Sequence, residues 1–211
     1  PLADVTYADV SSHDDLHAEA HPTATGISNE KLGMWVFLAS DCLLFGGMIS
    51  TYLVYKNRPG EIEGLAGSDM KVSELFDIPF TSMTSFILLM SSLTMVLSVN
   101  AIVRKDVARM RLWLVSTAVL GSLFLGGQIY EFTEFVHHGL GFTTNVASSA
   151  FYGLTGLHGV HVALGVVMLL VVVALSFRRS IHPEAVEVVG LYWHFVDIVW
   201  VLIFTIIYLI P

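Results

Sequence analysis

Five long stretches with almost no charge constrain this chain more than any other feature. They fall at about 32–55, 79–103, 112–135, 146–177 and 188–210 of the 211 residues. A helix needs ~20 apolar residues to cross the ~30 Å hydrocarbon core of a bilayer, and all five stretches are long enough. Lipid offers no water to backbone N–H and C=O groups, so each stretch must satisfy its own hydrogen bonds as a helix. The expected fold class is therefore all-α: a polytopic membrane protein, a bundle of five transmembrane helices spanning 31–211.

Composition agrees. Charged residues make up 13% of the chain, against ~25% in soluble domains. A formal net charge of −8 offers no basic field to phosphates, which argues against a nucleic-acid partner. Cys42 stands alone, so neither an intrachain disulfide nor a CxxC metal site can form.

Residues 1–30 read as an acidic, flexible cytoplasmic tail, with Asp4, Asp9, Asp14, Asp15, Glu19 and Glu30 and no cationic-then-apolar leader pattern. His13, His17 and His21 lie four apart there, but Pro22 and the polar composition favour a solvated tail over a metal site. Cationic residues set the expected topology. Lys31, Arg104, Lys105, Arg109, Arg111, Arg178 and Arg179 fall on the N-terminal side of the membrane, and only Lys56, Arg58 and Lys71 on the other. The reading is N-terminus inside, C-terminus outside.

Ionisable residues inside such helices are costly and mark candidate sites. Asp41 lies nine residues after Leu32, and Asp197 nine after Val188, each roughly 13 Å deep at ~1.5 Å per residue. His158 and His161 fall near the middle of the fourth span. His158/His161 and His194/Asp197 are i,i+3 pairs, so each pair shares a helix face. Together with Asp41 they resemble, on paper, a helix-bundle metal site, although the Glu-x-x-His motif of di-metal bundles is absent. The competing reading is a polar network that joins helices. A proton relay through Asp41 and Asp197 would suit a transporter, but no inverted repeat is visible. Axial haem ligation by His158, His161 or His194 is a further possibility. Glu131 and Glu134 sit at the outer end of the third span. They are either interfacial carboxylates in water or, for Glu131, an orienting contact to a neighbouring helix. Trp35, Trp113, Trp193 and Trp200 read as interfacial or packing aromatics. Gly46-Gly47, Gly126-Gly127 and the Gly153, Gly156, Gly159, Gly165 series read as close-approach points.

These residues also carry a resemblance. The run from Gly156 to Gly165 (GLHGVHVALG) resembles the HGxHVxxG signature of subunit III of haem–copper oxidases. The run from Tyr192 to Trp200 (YWHFVDIVW) resembles that family's YWHFVDxVW signature. The segment Gly33–Phe45 looks like the helix bearing a Ser-Glu or Ser-Asp pair, here Ser40-Asp41, with Asp where many relatives have Glu. Gln128-Ile-Tyr-Glu131-Phe matches the family's QxxEF/Y pattern. The chain is similar to the short, five-helix bacterial form of the family.

The resemblance implies a non-catalytic subunit of a cytochrome c oxidase in a bacterial cell membrane. It implies no catalytic residue, no bound metal and no redox centre in this chain. Haems and copper would belong to partner subunits I and II, and phospholipid would bind here. Cytochrome c or a quinol would donate electrons to the whole complex. Asp41, Glu131, His158, His161, His194 and Asp197 would then form a structural, lipid-binding or proton-uptake-supporting network. A quinol oxidase subunit III and a subunit-III-like protein associated with nitric oxide reductase are the alternatives within the family.

Overall fold

The computed structural model of the protein describes residues 28–55, 77–138, 141–143, 146–178 and 181–209. The tail through residue 27, with its three histidines, lies outside the described residues, as does the loop at 56–76. Five helices carry the described chain: α1 (Asn29–Tyr55), α2 (Ile78–Val103), α3 (Val107–His137), α4 (Val146–Arg178) and α5 (Pro183–Phe204). A π-helical turn, Thr205–Leu209, extends α5. All five are long and apolar enough to cross a membrane, and no strand occurs among the described residues.

Helix ends follow local chemistry. The side chain of Asp77 accepts from the Phe80 N–H ahead of α2, with Pro79 in the first turn, where a missing N–H does no harm. Asp106 caps α3 in the same way through the Arg109 N–H. α3 therefore starts at Val107, five residues before the apolar stretch begins. α5 starts at Pro183 rather than at Val188, for the proline again sits in the first turn. Between α2 and α3 the chain reverses within three residues. The Asp106 N–H bonds to the Ala101 carbonyl, and the Lys105 N–H to that of Ile102. These are the 6→1 and 5→2 bonds of a Schellman motif, with Lys105 at φ 61° in the position that usually goes to glycine.

Cross-helix contacts give the helix directions. Thr94 meets Thr117 and Gly127 meets Thr84, so α2 and α3 are antiparallel. Arg111 binds Ser176, and Gln128 binds the Thr155 carbonyl, so α3 and α4 are antiparallel. Tyr192 donates to the His161 carbonyl at 3.0 Å, while Trp200 stacks on His158, so α4 and α5 are antiparallel too. Lys31 pairs with Glu187 at 2.6 Å and Phe45 meets Phe195, so α1 runs parallel to α5. The bundle is up-and-down. α2, α3, α4 and α5 enclose the core, and α1 packs from outside against α4 and α5.

The peripheral place of α1 corrects one expectation. A Cβ at Gly46 or Gly47 would meet nothing within 4 Å, so this pair is not a close-approach point; Gly126 and Gly156 are equally open. Gly121 and Gly165 do the close packing, with built Cβ atoms 2.5 Å and 2.9 Å from Trp193. They form a slot for an indole that is fully buried and donates from Nε1 to Ser91 Oγ at 2.9 Å. Trp193 therefore belongs to the core rather than to an interfacial belt, because α5 begins a full turn earlier than its apolar stretch. Trp200 is buried as well and donates to Ser85 Oγ at 2.8 Å. Trp35 is exposed.

Candidate functional site: buried polar groupings between the helices

The bundle interior holds three polar groupings. The first joins α1 and α4. Asp41 and His161 are both buried, with His161 Nε2 and Asp41 Oδ2 3.6 Å apart. His161 Nδ1 lies 2.8 Å from the Leu157 carbonyl one turn back. A carbonyl can only accept, so Nδ1 carries the N–H. At 3.6 Å, Nε2 and the Asp41 carboxyl are within ion-pair range but not hydrogen-bonded, and Asp41 Oδ2 has no hydrogen-bond partner. Phe45 stands edge-on to the His161 ring at 5.1 Å and helps exclude other partners.

His158, one turn away on α4, takes no part in that pair. Its ring lies flat on Trp200 at 4.9 Å, with Phe124 edge-on at 5.9 Å. Neither ring nitrogen has a hydrogen-bond partner. Such a side chain acts as a flat aromatic filler in the α3–α4–α5 contact.

The second grouping joins α2 and α5. Ser92 Oγ donates to Asp197 Oδ2 and lies 2.9 Å from His194 Nδ1. A hydroxyl has one proton, so with that proton directed at Asp197 the His194 Nδ1 must be the donor to Ser92. The i,i+3 spacing on α5 brings both side chains to one α2 serine. Asp197 Oδ1 remains unpartnered although Asp197 is only 4% exposed.

The third lies at the far end of α3. Glu131 is buried, and its Oε1 accepts from Thr81 Oγ1 at 2.7 Å and from Tyr208 OH at 3.0 Å. It thus ties the start of α2 to the π-helical turn after α5. A π turn carries one extra residue per hydrogen-bonded ring, and here that turn holds the tyrosine that reaches Glu131. Glu134 points outward and meets His138 at 3.3 Å. Gln128, one turn before Glu131, donates to the Thr155 carbonyl at 2.8 Å.

The six sequence-predicted residues thus divide among separate contacts. No hydrogen bond or ion pair among the described residues links Asp41–His161 to Ser92–His194–Asp197. Nor do His158, His161, His194 and Asp197 form a ligand set: among the described residues, no three His, Cys, Asp or Glu side chains converge as a group able to hold a metal ion. The α2 hydroxyls Thr81, Ser85, Ser91 and Ser92 read in the sequence only as small residues suited to close helix packing, Tyr192 only as part of a signature run, and Tyr208 was not singled out. A signal for α2 existed: Thr84, Ser91 and Ser98 recur every seven residues and all are buried, the spacing of one helix face.

Comparison with known proteins covers nearly the whole chain. Residues 5–210 match the family described as cytochrome c oxidase subunit III. A cytochrome c oxidase subunit 3 from Bacillus sp. (strain PS3) is 38% identical over 207 residues, covering 94% of this chain and 97% of that one. In Bacillus subtilis (strain 168), a cytochrome c oxidase subunit 3 is 36% identical, covering 86% of each chain. A quinol oxidase subunit 3 of the same organism is 34% identical, covering 84% of this chain and 85% of that one.

Proposed function

The chain belongs to the cytochrome c oxidase subunit III family, and from that premise we propose that it serves as the third subunit of a proton-pumping haem–copper terminal oxidase in a bacterial plasma membrane. In this reading the chain has no redox centre. Haems and copper sit in subunits I and II, and this subunit packs beside subunit I, binds phospholipid, and sustains turnover and proton uptake. The observation that carries the reading is where the resemblance-bearing residues lie. Asp41, His158, His161, Tyr192, Trp193, Asp197, Trp200 and Glu131 come from four helices, and all are buried in the bundle. Their contacts run mainly between helices, as a supporting subunit requires. The buried Asp41–His161 contact between α1 and α4 is the group through which proton-uptake support would act.

We orient the bundle with its N-terminus in the cytoplasm. Lys31, Arg104, Lys105, Arg109, Arg111 and Arg178 gather at the end formed by the N-termini of α1, α3 and α5 and the C-termini of α2 and α4. Cationic residues favour the cytoplasmic side. The quinol-oxidase reading has the support of the B. subtilis quinol oxidase relative; in this family the donor is chosen by subunit II, as the sequence resemblance implies.

The test is affinity purification of the chain from native membranes in mild detergent, with a reduced-minus-oxidised spectrum and a metal count. Haem and copper arriving with a larger partner, and lost when that partner is stripped away, support the reading. Stoichiometric metal retained by the stripped chain overturns it.

A further inference from the structure

A pocket of about 450 Å³ opens at the turn between α2 and α3. Asn100, Arg104, Asp106 and Arg109 line it at the turn, and Leu97, Ala101 and Trp113 line it further along the two helices. The turn itself sets this up. Lys105, at φ 61°, ends α2 and lets α3 begin at Val107, so one arginine from each side of the reversal reaches the same pocket.

The side-chain acceptors of this pocket are already engaged. Asn100 Oδ1 accepts from Arg104 Nε at 3.1 Å. Asp106 Oδ1 accepts from the Arg109 N–H at 3.1 Å, and its Oδ2 lies 3.2 Å from Arg109 Nε. Donors are left over. Each guanidinium is held at Nε, which leaves its two Nη groups, and no described residue meets them. Asn100 Nδ2 and Trp113 Nε1 likewise have no partner among the described residues. Two guanidinium charges face a single carboxylate. A ligand that satisfies this lining is an anion rich in acceptors, and the forked Nη pairs match the oxygens of a phosphate group.

Depth narrows the source of that phosphate. Trp113 lies six residues after Val107, roughly 9 Å along α3. Leu97 lies seven residues before Arg104, roughly 10 Å back along α2. The pocket therefore grades from a cationic rim to an apolar floor near the membrane interface, where tryptophan is at home. Inorganic phosphate would meet the rim and leave the floor bare. A phospholipid meets both, with its phosphodiester at the arginines and its glycerol and first methylenes over Leu97, Ala101 and Trp113. With the N-terminus inside, this end faces the leaflet that carries anionic lipids, for which basic pockets between membrane helices are the usual receptors.

We propose that the pocket at the α2–α3 turn binds an anionic phospholipid, with the Nη groups of Arg104 and Arg109 on its phosphate and Leu97 and Trp113 against the top of its acyl chains. The proposal rests on the reading of the chain as a phospholipid-binding subunit with its N-terminus inside, and adds the place, the charge class and the residues that hold the lipid.

The test purifies the chain in mild detergent with the partners it brings and adds, at low ratio, phosphatidylglycerol with a diazirine near the head of one acyl chain. Phosphatidylcholine with the same acyl chains is the comparison, and adducts are mapped by peptide mass spectrometry after irradiation. Phosphatidylglycerol should label residues 97–113 on the order of tenfold more than phosphatidylcholine does, as two cationic contacts imply. Arg104→Gln with Arg109→Gln should bring it down to the phosphatidylcholine level there and leave adducts elsewhere on the chain unchanged. The comparison of the two lipids uses the parent chain, so it stands even where the double variant folds poorly. Equal labelling of 97–113 by both lipids, or phosphatidylglycerol adducts only elsewhere on the chain, overturns the site and leaves phospholipid binding standing. Removal of the adducts by millimolar inorganic phosphate identifies a free-anion site and overturns the lipid assignment. No adduct of either lipid anywhere on the chain overturns both the site and the phospholipid-binding reading.

Discussion

Replacing Gly121 with alanine probes the packing that fixes the bundle. The new Cβ would stand 2.5 Å from Trp193 Cη2, 2.9 Å from Cζ2 and 3.2 Å from Val166 Cγ2. The indole has little room to retreat, since Gly165 abuts its other edge, at 2.9 Å from a built Cβ to both Cε3 and Cζ3. Overpacking of this kind costs about 1–3 kcal/mol. Displacing the ring also weakens the bond from Nε1 to Ser91, worth about 0.5–1.5 kcal/mol. The better helix propensity of alanine returns at most about 1 kcal/mol. The net expectation is a destabilisation of about 1–3 kcal/mol. Thermal unfolding of the detergent-solubilised protein, followed by Trp fluorescence, reads it out. Phenylalanine lacks the outer indole ring, so in a Trp193→Phe background Gly121→Ala should cost much less, and a double-mutant cycle should give a coupling energy above about 0.5 kcal/mol. Gly121→Ala as stable as the parent, or strictly additive with Trp193→Phe, would refute the slot.

Lys105 holds φ 61° without the freedom of glycine, so Lys105→Gly should stabilise the α2–α3 turn by up to about 1 kcal/mol, seen as a higher melting temperature; a fall would mean the Lys105 side chain has a role of its own. Glu131→Leu removes the acceptor shared by the Thr81 and Tyr208 hydroxyls and should cost about 1–3 kcal/mol in all, since Thr81 still has the Asp77 carbonyl, whereas Glu131→Gln keeps an acceptor and should cost less; equal losses in thermal unfolding would contradict the assignment. Asp41→Ala should leave the reduced-minus-oxidised haem spectrum of the complex unchanged yet shorten its working lifetime under continuous oxygen consumption; an altered spectrum counts against a supporting role.

Reading a sequence for apolar length finds membrane helices well because charge gaps of this size have no other stable solution in lipid. The same reading is weak at helix ends, where a capped first turn can be charged. Val107, behind its Asp106 cap, and Pro183 start their helices five residues before hydropathy rises, and of the two readings open for Trp193, interfacial or packing, the structure gives packing. The i,i+3 pairs were legible as shared faces. Their partners were not, since hydropathy gives depth along a helix but not its rotation about the bundle axis. His158 and His161 look equivalent on paper, yet one lies against Trp200 and the other meets Asp41. Asp197 turns to a serine on α2 rather than to a second carboxylate or histidine cluster, a choice made by the α2–α5 crossing and invisible in either segment alone.

The central claim, that this chain sustains an oxidase whose chemistry happens elsewhere, is tested most directly by following oxygen consumption of the purified complex with and without it. The account predicts that the depleted complex keeps its haem spectrum and its initial rate, loses activity progressively over successive turnovers, and regains its endurance when the chain is added back. Loss of haem or of the initial rate on depletion, or a working lifetime that depletion leaves unchanged, would contradict it.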